Sequence, residues 1–137
     1  MNVTWTQSWD DFVSVLNEHV QSHDDFEGLA ATLTGHSVVW SGTVEKVDLD
    51  DVAPLIYIAF PPRQIAFRDG RIATLEVISV PIADGDRSSW NTVTVGQRVT
   101  FEAVLGSRAS IFPTISVKTF KSGKTLVTVS LVDGRLR

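Results

Sequence analysis

The sequence predicts one small domain of residues 1–137, mainly β, in which a helical segment (residues 1–35) packs against an antiparallel barrel (residues 37–132). Three observations predict this fold class. The length of 137 residues suits one domain and is too short for two ordinary ones. Apolar residues recur at helical spacing near the N-terminus. From residue 37 onward, short segments rich in Val, Ile, Thr and Phe alternate with turn residues.

The helical segment contains the clearest element of the sequence, a helix over residues 8–20. Ser8 is suited to cap this helix, and Asp10 and Asp11 follow at the positive end of its dipole. A second, short helix is predicted with Asp24 as its cap and Gly35 after its end. The apolar residues of the first helix share one face because they are spaced i, i+3, i+4, i+7 and i+11; they are Trp9, Phe12, Val13, Leu16 and Val20.

The first two strands are predicted over residues 37–47 and 55–60. The first has Gly42 at its centre, where a glycine indicates a bend or a close approach of another backbone. The second is apolar at every position, so we expect it to be buried on both faces. Pro61-Pro62 then stops or bends it, because proline has no N–H for a ladder.

The dipeptide Asp69-Gly70 predicts the next turn, since this pair favours tight hairpins. It joins residues 64–68 to residues 71–80, and it places Arg68 opposite Arg71. The charge of Asp69 lies close enough to soften the repulsion between the two arginines.

The second half of the barrel begins with a polar loop over residues 81–91, in which no helix is predicted. Residues 92–105 form the next strand, and one of its faces carries Val93, Val95, Val99, Phe101, Ala103 and Leu105. Residues 111–120 and 125–132 alternate in the same way and form a last hairpin, and Asp133-Gly134 ends the final strand. Because no crossover helices separate these strands, the sheet is antiparallel and forms a small barrel or sandwich.

Three features of residues 37–132 are typical of one fold family. A long first strand bends at the central Gly42, a meander follows over residues 55–80, and residues 96–101 have the pattern Gly-x-x-Val-x-Phe before the fourth strand. Together they resemble the oligonucleotide/oligosaccharide-binding (OB) fold, in particular small bacterial domains of the anticodon-binding type. The resemblance implies a barrel whose first strand serves both halves and whose second and third strands form the binding face.

The composition and motifs exclude several functional classes. The chain has no cysteine, and therefore no thiolate zinc site or cysteine nucleophile. It has no Gly-x-Ser-x-Gly elbow, phosphate loop or dinucleotide fingerprint. His19 and His23 have the i, i+4 spacing of a zinc site, but Val20 stands where a metalloprotease has Glu, so we interpret them as surface histidines. We expect no catalytic residue, cofactor or metal.

The sequence also predicts the cellular compartment. The N-terminus lacks the basic start and apolar stretch of a signal peptide. No apolar run approaches the roughly 20 residues that span a bilayer. We therefore expect a soluble protein of the cytoplasm with no membrane partner.

Basic and aromatic residues interleave in the second half of the chain, which is typical of single-strand nucleic-acid interfaces. Alternation turns Phe112 and Phe120 away from the core, so they are candidates to stack on bases. Side chains that would neutralise phosphates are Lys118, Lys121, Lys124, Arg68 and Arg71. We therefore predict a non-enzymatic OB-like module that binds single-stranded nucleic acid or another extended polymer. Trp40, Tyr57 and Phe60 are assigned to the core.

The uneven distribution of charge favours an alternative. Residues 1–62 hold ten acids and one base, a formal charge of −9, whereas residues 63–137 hold eleven bases and six acids, a charge of +5. The pI near 5.2 is low for a nucleic-acid binder. The alternative is a protein-interaction module, such as an antitoxin, an immunity protein or an assembly subunit, that meets a basic partner through an acidic N-terminal face. That face consists of Asp10, Asp11, Glu18, Asp24 and Asp25.

Overall fold

The helical segment lies at the N-terminus, as predicted. The computed structural model describes residues 4–50, 52–106 and 113–137. A 3₁₀ turn over Thr4–Thr6 leads into α1 (Trp9–His19), and α2 (Glu27–Leu33) follows. Ser8 caps α1, because its side-chain oxygen accepts a hydrogen bond from the Asp11 N–H at 3.3 Å. Within these described ranges, no helix is long and apolar enough to cross a membrane.

Strands make up most of the remaining chain. In chain order they are β1 (Ser37–Asp48), β2 (Leu55–Ala66), β3 (Ile72–Pro81), β4 (Arg98–Leu105), β5 (Ile115–Thr119), β6 (Thr125–Val129) and β7 (Leu131–Leu136). A one-turn helix, α3 (Arg87–Trp90), lies between β3 and β4. One sheet has the order β3-β2-β1-β4-β7, and β5 and β6 form a separate hairpin. Each of these pairings is antiparallel. The predicted fold class, mainly β with N-terminal helices and an antiparallel sheet, is therefore confirmed.

The two outer strands of the sheet, β3 and β7, meet at one point. A single parallel bridge joins Ile82 to Gly134, and the Ala83 N–H donates to the Gly134 carbonyl at 3.0 Å. A Cβ atom at Gly134 would lie 2.5 Å from Cγ1 of Val80, so this approach requires glycine. The prediction that Asp133-Gly134 ends the last strand is therefore wrong, because β7 continues through it. Among the described residues no ladder extends this bridge, so closure of the sheet into the predicted barrel is not observed.

Gly42 allows β1 to contact its neighbours closely, as predicted. A Cβ atom at this position would lie 2.5 Å from Cγ2 of Ile58 and 2.8 Å from the carbonyl oxygen of Ala59. Just beyond, the pairing of β1 with β2 shifts between Val44 and Lys46. This β-bulge bends the strand, and so β1 pairs with β4 in its first half and with β2 in its second.

An aromatic cluster attaches α1 to the sheet. Trp9 stacks on Phe60 with ring centroids 4.0 Å apart, and it meets Trp40 nearly edge-on at 5.2 Å. Phe12, on the same face of α1, contacts Trp40 at 4.8 Å. All four side chains are buried, which confirms the core assignment of Trp40 and Phe60.

The second strand differs from the prediction in two ways. It runs through Pro61 and Pro62 to Ala66, because its pairing with β3 shifts between Ala59 and Arg63 and the prolines fall at this break in the ladder. It is also buried on one face only. Ile56, Ile58 and Phe60 are buried, whereas Leu55, Tyr57 and Ala59 are half-buried.

The turn between β2 and β3 forms at Asp69-Gly70, as predicted, but in a different register. The Phe67 N–H donates to the Arg71 carbonyl at 2.8 Å, and the Gly70 N–H donates to the Phe67 carbonyl at 3.0 Å. Phe67 therefore lies opposite Arg71, and Arg68 is an exposed residue of a three-residue loop. Gly70 completes this loop with a φ of 96°, as the left-handed position of such a turn requires.

The connection from β3 to β4 also differs from the prediction. The helix α3 forms inside the predicted loop, because Trp90 is buried and its indole N–H donates to the Asp86 carboxylate at 3.1 Å. The predicted strand over residues 92–105 begins only at Arg98. A turn with Gly96 at a φ of 93° interrupts the alternation, and Val95 is consequently 66% exposed rather than in the core.

We expect Gly42→Ala to destabilise the fold, because the added Cβ atom meets Ile58 and a backbone oxygen at less than 3.0 Å. Overpacking of this kind costs about 1–3 kcal/mol of unfolding free energy, measurable by urea denaturation. Gly28→Ala is the matched control, since a Cβ atom on α2 meets nothing within 4 Å. That variant should be more stable by about 0.5–1 kcal/mol. Equal stability of the two variants would contradict the close approach.

Candidate nucleic-acid interface

The β5–β6 hairpin has one face toward the hydrophobic core and one toward solvent. Alternation buries Ile115, Val127 and Val129 on the first face. Phe120, just beyond β5, is 40% exposed, and Leu126 on the solvent face is 41% exposed. The ammonium group of Lys118 lies 4.9 Å from the centre of the Phe120 ring. The sequence analysis correctly placed Phe120 outside the core, whereas Phe112 lies outside the described residues.

The tip of this hairpin carries two more lysines. The Phe120 N–H donates to the Lys124 carbonyl at 2.8 Å, and the Gly123 N–H donates to the Phe120 carbonyl at 2.9 Å. This tight turn exposes Lys121 and Lys124. Within the described part of the chain, Lys118, Lys121 and Lys124 form no ion pair. The hairpin therefore carries one exposed aromatic ring and three lysines that form no ion pair with any described residue.

A groove separates the hairpin from β3. The two strands β3 and β6 lie side by side without a ladder, and consecutive residues of both line the groove. Its larger part, about 500 Å³, is lined by Thr74 and Glu76 on one side and Lys124 on the other. A second part of about 210 Å³ adjoins it, because Val77 and Leu126 line both. The two parts of the groove therefore adjoin at aliphatic side chains, and a lysine lines one end.

The other end of the groove reaches Tyr57, which sequence reasoning had assigned to the core. The phenol ring is half-buried on the outer face of β2. Lys46 lies opposite Tyr57 on β1, and its ammonium group is 5.6 Å from the ring centre. Strict alternation along β2 turns Ile56 and Ile58 inward and Tyr57 outward, so this pattern could have predicted that Tyr57 lies outside the core. Nothing in the sequence revealed the bulge that aligns Lys46 with it.

The loop between β2 and β3 holds Arg68 and Arg71, and both arginines have partners within the chain. Arg68 pairs through Nε with the Asp24 carboxylate at 2.9 Å. Arg71 pairs with Asp69 at 2.8 Å and donates to the Asp24 carbonyl at 2.9 Å. It also donates to the Thr119 hydroxyl at 3.3 Å, which places this loop beside β5. Arg71 therefore connects this loop to the end of the hairpin, and both arginines are engaged with acidic residues.

The acidic N-terminal face is partly neutralised in the same manner. Asp10 pairs with Arg63 of β2 at 2.9 Å, and Asp24 pairs with Arg68. The acidic first half and the basic second half therefore intermix where α1 and the following loop meet the sheet. Asp11, Glu18 and Asp25 complete the exposed acidic face.

The two histidines of α1 and its following turn stack on each other. The ring centroids of His19 and His23 are 4.1 Å apart. The Nε2–H of His19 donates to the Asp25 carbonyl at 2.9 Å, so this nitrogen is engaged within the chain. The described residues contain no group of three potential metal ligands.

No model of a known protein family matches this chain, and no curated protein matches it. Among solved structures, the mitochondrial single-stranded DNA-binding protein Rim1 from S. cerevisiae is similar to it, with a TM-score of 0.40 and 20% identity. The likeness covers 74% of this chain and 94% of that chain. At this TM-score it says nothing about the ligand of this chain.

We expect the pKa of Asp24 to lie below its ordinary value of 3.8, because the Arg68 guanidinium donates a hydrogen bond to the carboxylate and adds its positive charge. Carboxyl NMR during a pH titration measures this. Arg68→Gln should raise the pKa of Asp24 toward 3.8, whereas Arg63→Gln, which removes the partner of Asp10, should leave it unchanged. Because the folded-state pKa is lowered, the pair stabilises the fold above the ordinary value, and this contribution disappears as the pH falls through the folded-state pKa. An unshifted Asp24 in the unaltered protein would contradict the pairing.

Proposed function

We propose that this chain is a non-enzymatic module that binds single-stranded nucleic acid along the β5–β6 hairpin and the groove beside β3. One juxtaposition carries the proposal. An exposed ring with a lysine beside it, Phe120 with Lys118, lies near one end of the groove, and a second such pair, Tyr57 with Lys46, lies at the other end.

This arrangement suits the two chemical parts of a nucleic-acid strand. A flat ring offers a stacking surface to any base, and a nearby ammonium group neutralises the phosphate beside that base. The unpaired Lys121 and Lys124 extend the positive surface at the hairpin tip. Bases in a duplex are already stacked and paired, so a surface of this type favours a single strand.

The groove supplies a path between the two rings. Its middle is aliphatic, lined by Val77 and Leu126, and both side chains are partly exposed to solvent. Apolar contact with base faces would cover them. Thr74, Ser79 and Thr128 line the same groove and offer hydroxyl groups to the edges of bases.

The net charge of −4 is compatible with this function because the charges are separated in the fold. Asp10 and Asp24 lie against Arg63 and Arg68, whereas the hairpin lysines form no ion pair with any described residue. At physiological salt the electrostatic field of a charge is screened over a length of roughly 8 Å. The charges near the hairpin, rather than the net charge of the chain, therefore determine how strongly a phosphate is attracted there.

The double variant Lys121→Glu, Lys124→Glu should weaken binding of a fluorescein-labelled oligothymidylate of about 20 nucleotides, which exceeds the site of one OB fold. Fluorescence anisotropy at about 50 and 200 mM salt should show a weaker salt dependence, with the slope of log K against log salt reduced by about 1.4 for two lost contacts. Arg98→Glu, Arg135→Glu on β4 and β7 gives the same change in net charge and serves as the control. Equal weakening by both variants would contradict the assignment to the hairpin.

Replacement of Phe120 tests the stacking part of the proposal. Phe120→Ala should weaken binding to the same oligonucleotide by about 1–3 kcal/mol, the usual contribution of one stacked base. Because the ring is 40% exposed, urea denaturation should show little loss of stability. Val95→Ala removes another exposed apolar side chain and should leave the affinity unchanged. Unaltered affinity of the Phe120 variant would remove the ring from the site.

The protein-interaction alternative predicts a different result in the same assay. If the unaltered protein binds neither single-stranded DNA nor RNA at about 50 mM salt, where phosphate contacts are strong, the nucleic-acid proposal is wrong. The acidic face of α1 and the following loop then becomes the leading interaction surface.

A further inference from the structure

The loop after α1 reaches across to the basic end of the proposed interface. Asp24 in this loop lies 44 residues from Arg68 in sequence, and its carboxylate is 2.9 Å from the Arg68 Nε. Its backbone carbonyl accepts a second hydrogen bond, from Arg71, at 2.9 Å. One acidic residue of the helical segment therefore contacts both arginines of the β2–β3 loop.

The β2–β3 loop meets the hairpin through Arg71. Arg71 donates to the hydroxyl of Thr119 on β5, and its guanidinium lies 4.5 Å from the centre of the Phe67 ring. Arg71 is thus held by Asp69, Asp24 and Thr119 and serves to fix the loop against the hairpin. Among the described residues, the Arg68 side chain hydrogen-bonds to Asp24 alone, and so it is the arginine that a ligand can recruit.

We propose that the Asp24 carboxylate occupies a phosphate position on Arg68 in the free protein and competes there with the nucleic-acid backbone. This inference rests on the proposed function and adds a regulatory contact to it. A carboxylate and a phosphate oxygen offer arginine the same kind of charged acceptor, so the two exclude each other at one nitrogen.

The exposure of the pair makes the exchange feasible. The side chains of Arg68 and Asp24 are 50% and 59% exposed, so water screens their attraction and little reorganisation is needed to separate them. The lowered pKa of Asp24 shows that the carboxylate stays charged near neutral pH and continues to compete. An acid of the first half of the chain, Asp24, thus lowers the affinity of a base of the second half, Arg68, for phosphate.

The test is the affinity of Asp24→Asn for the labelled oligothymidylate. Loss of the competing charge should tighten binding about two- to fivefold, the range that corresponds to an exposed ion pair. The salt slope should steepen by about 0.7, because one more arginine meets a phosphate. Asp25→Asn is the matched control, since it removes the same charge one residue away, where the carboxylate accepts from the Glu27 N–H. A general electrostatic effect would tighten both variants equally, and that result would overturn the proposal.

The Arg68→Gln variant tests whether Arg68 is the residue for which Asp24 competes. In Arg68→Gln, the further change Asp24→Asn should no longer tighten binding; a gain of the same size would overturn the proposal. Competition is also reciprocal, so saturating oligonucleotide should raise the pKa of Asp24 toward its ordinary value in carboxyl NMR. Binding by the unaltered protein without these effects overturns the competition and leaves the proposed function intact. Absence of binding by every variant overturns both.

Discussion

The contact of Trp9 with Phe60 and Trp40 is the constraint on which the rest of the molecule depends. It fixes α1 across the sheet, and Asn17 on the same helix completes the attachment. The side chain of Asn17 donates to the Gln64 carbonyl at 2.9 Å and accepts from the Ala66 N–H at 3.1 Å. With α1 held in this way, the acidic residues at its start and beyond its end come to lie beside arginines of β2 and the following loop.

The β5–β6 hairpin depends on this arrangement because it belongs to no larger sheet. Its inner apolar face packs into the hydrophobic core, and side-chain contacts hold its two ends. Arg71 binds Thr119 at one end, and Thr34, just after α2, shares a hydrogen bond with Thr114 at the other. Both contacts originate in elements that the helical segment positions. The proposed binding surface is therefore built by long-range packing rather than by the hairpin sequence alone.

This explains which parts were predictable from the sequence. Local patterns predicted α1, the close approach at Gly42 and the exposed lysines of the hairpin tip, because each follows from spacing within a few residues. Arg68 was predicted to belong to a basic surface, and nothing in the sequence indicated its ion-pair partner, which is 44 residues away. The alignment of Lys46 with Tyr57 depends on a bulge, and the passage of β2 through Pro61-Pro62 depends on a break in pairing. Such irregularities shift the alternation of side chains and leave no local signal.

The charge pattern shows why total charge is a poor guide to the ligand of a small domain. When an acid and a base pair across the fold, as Asp10 and Arg63 do, their electric fields largely cancel at a distant ligand. No acid among the described residues forms an ion pair with the hairpin lysines, so no direct partner offsets their charge. An acidic chain can therefore present a basic surface wherever its own acids are held elsewhere. The position of α1 determines where these acids lie, and so the packing of Trp9 also determines the electrostatic potential at the proposed site.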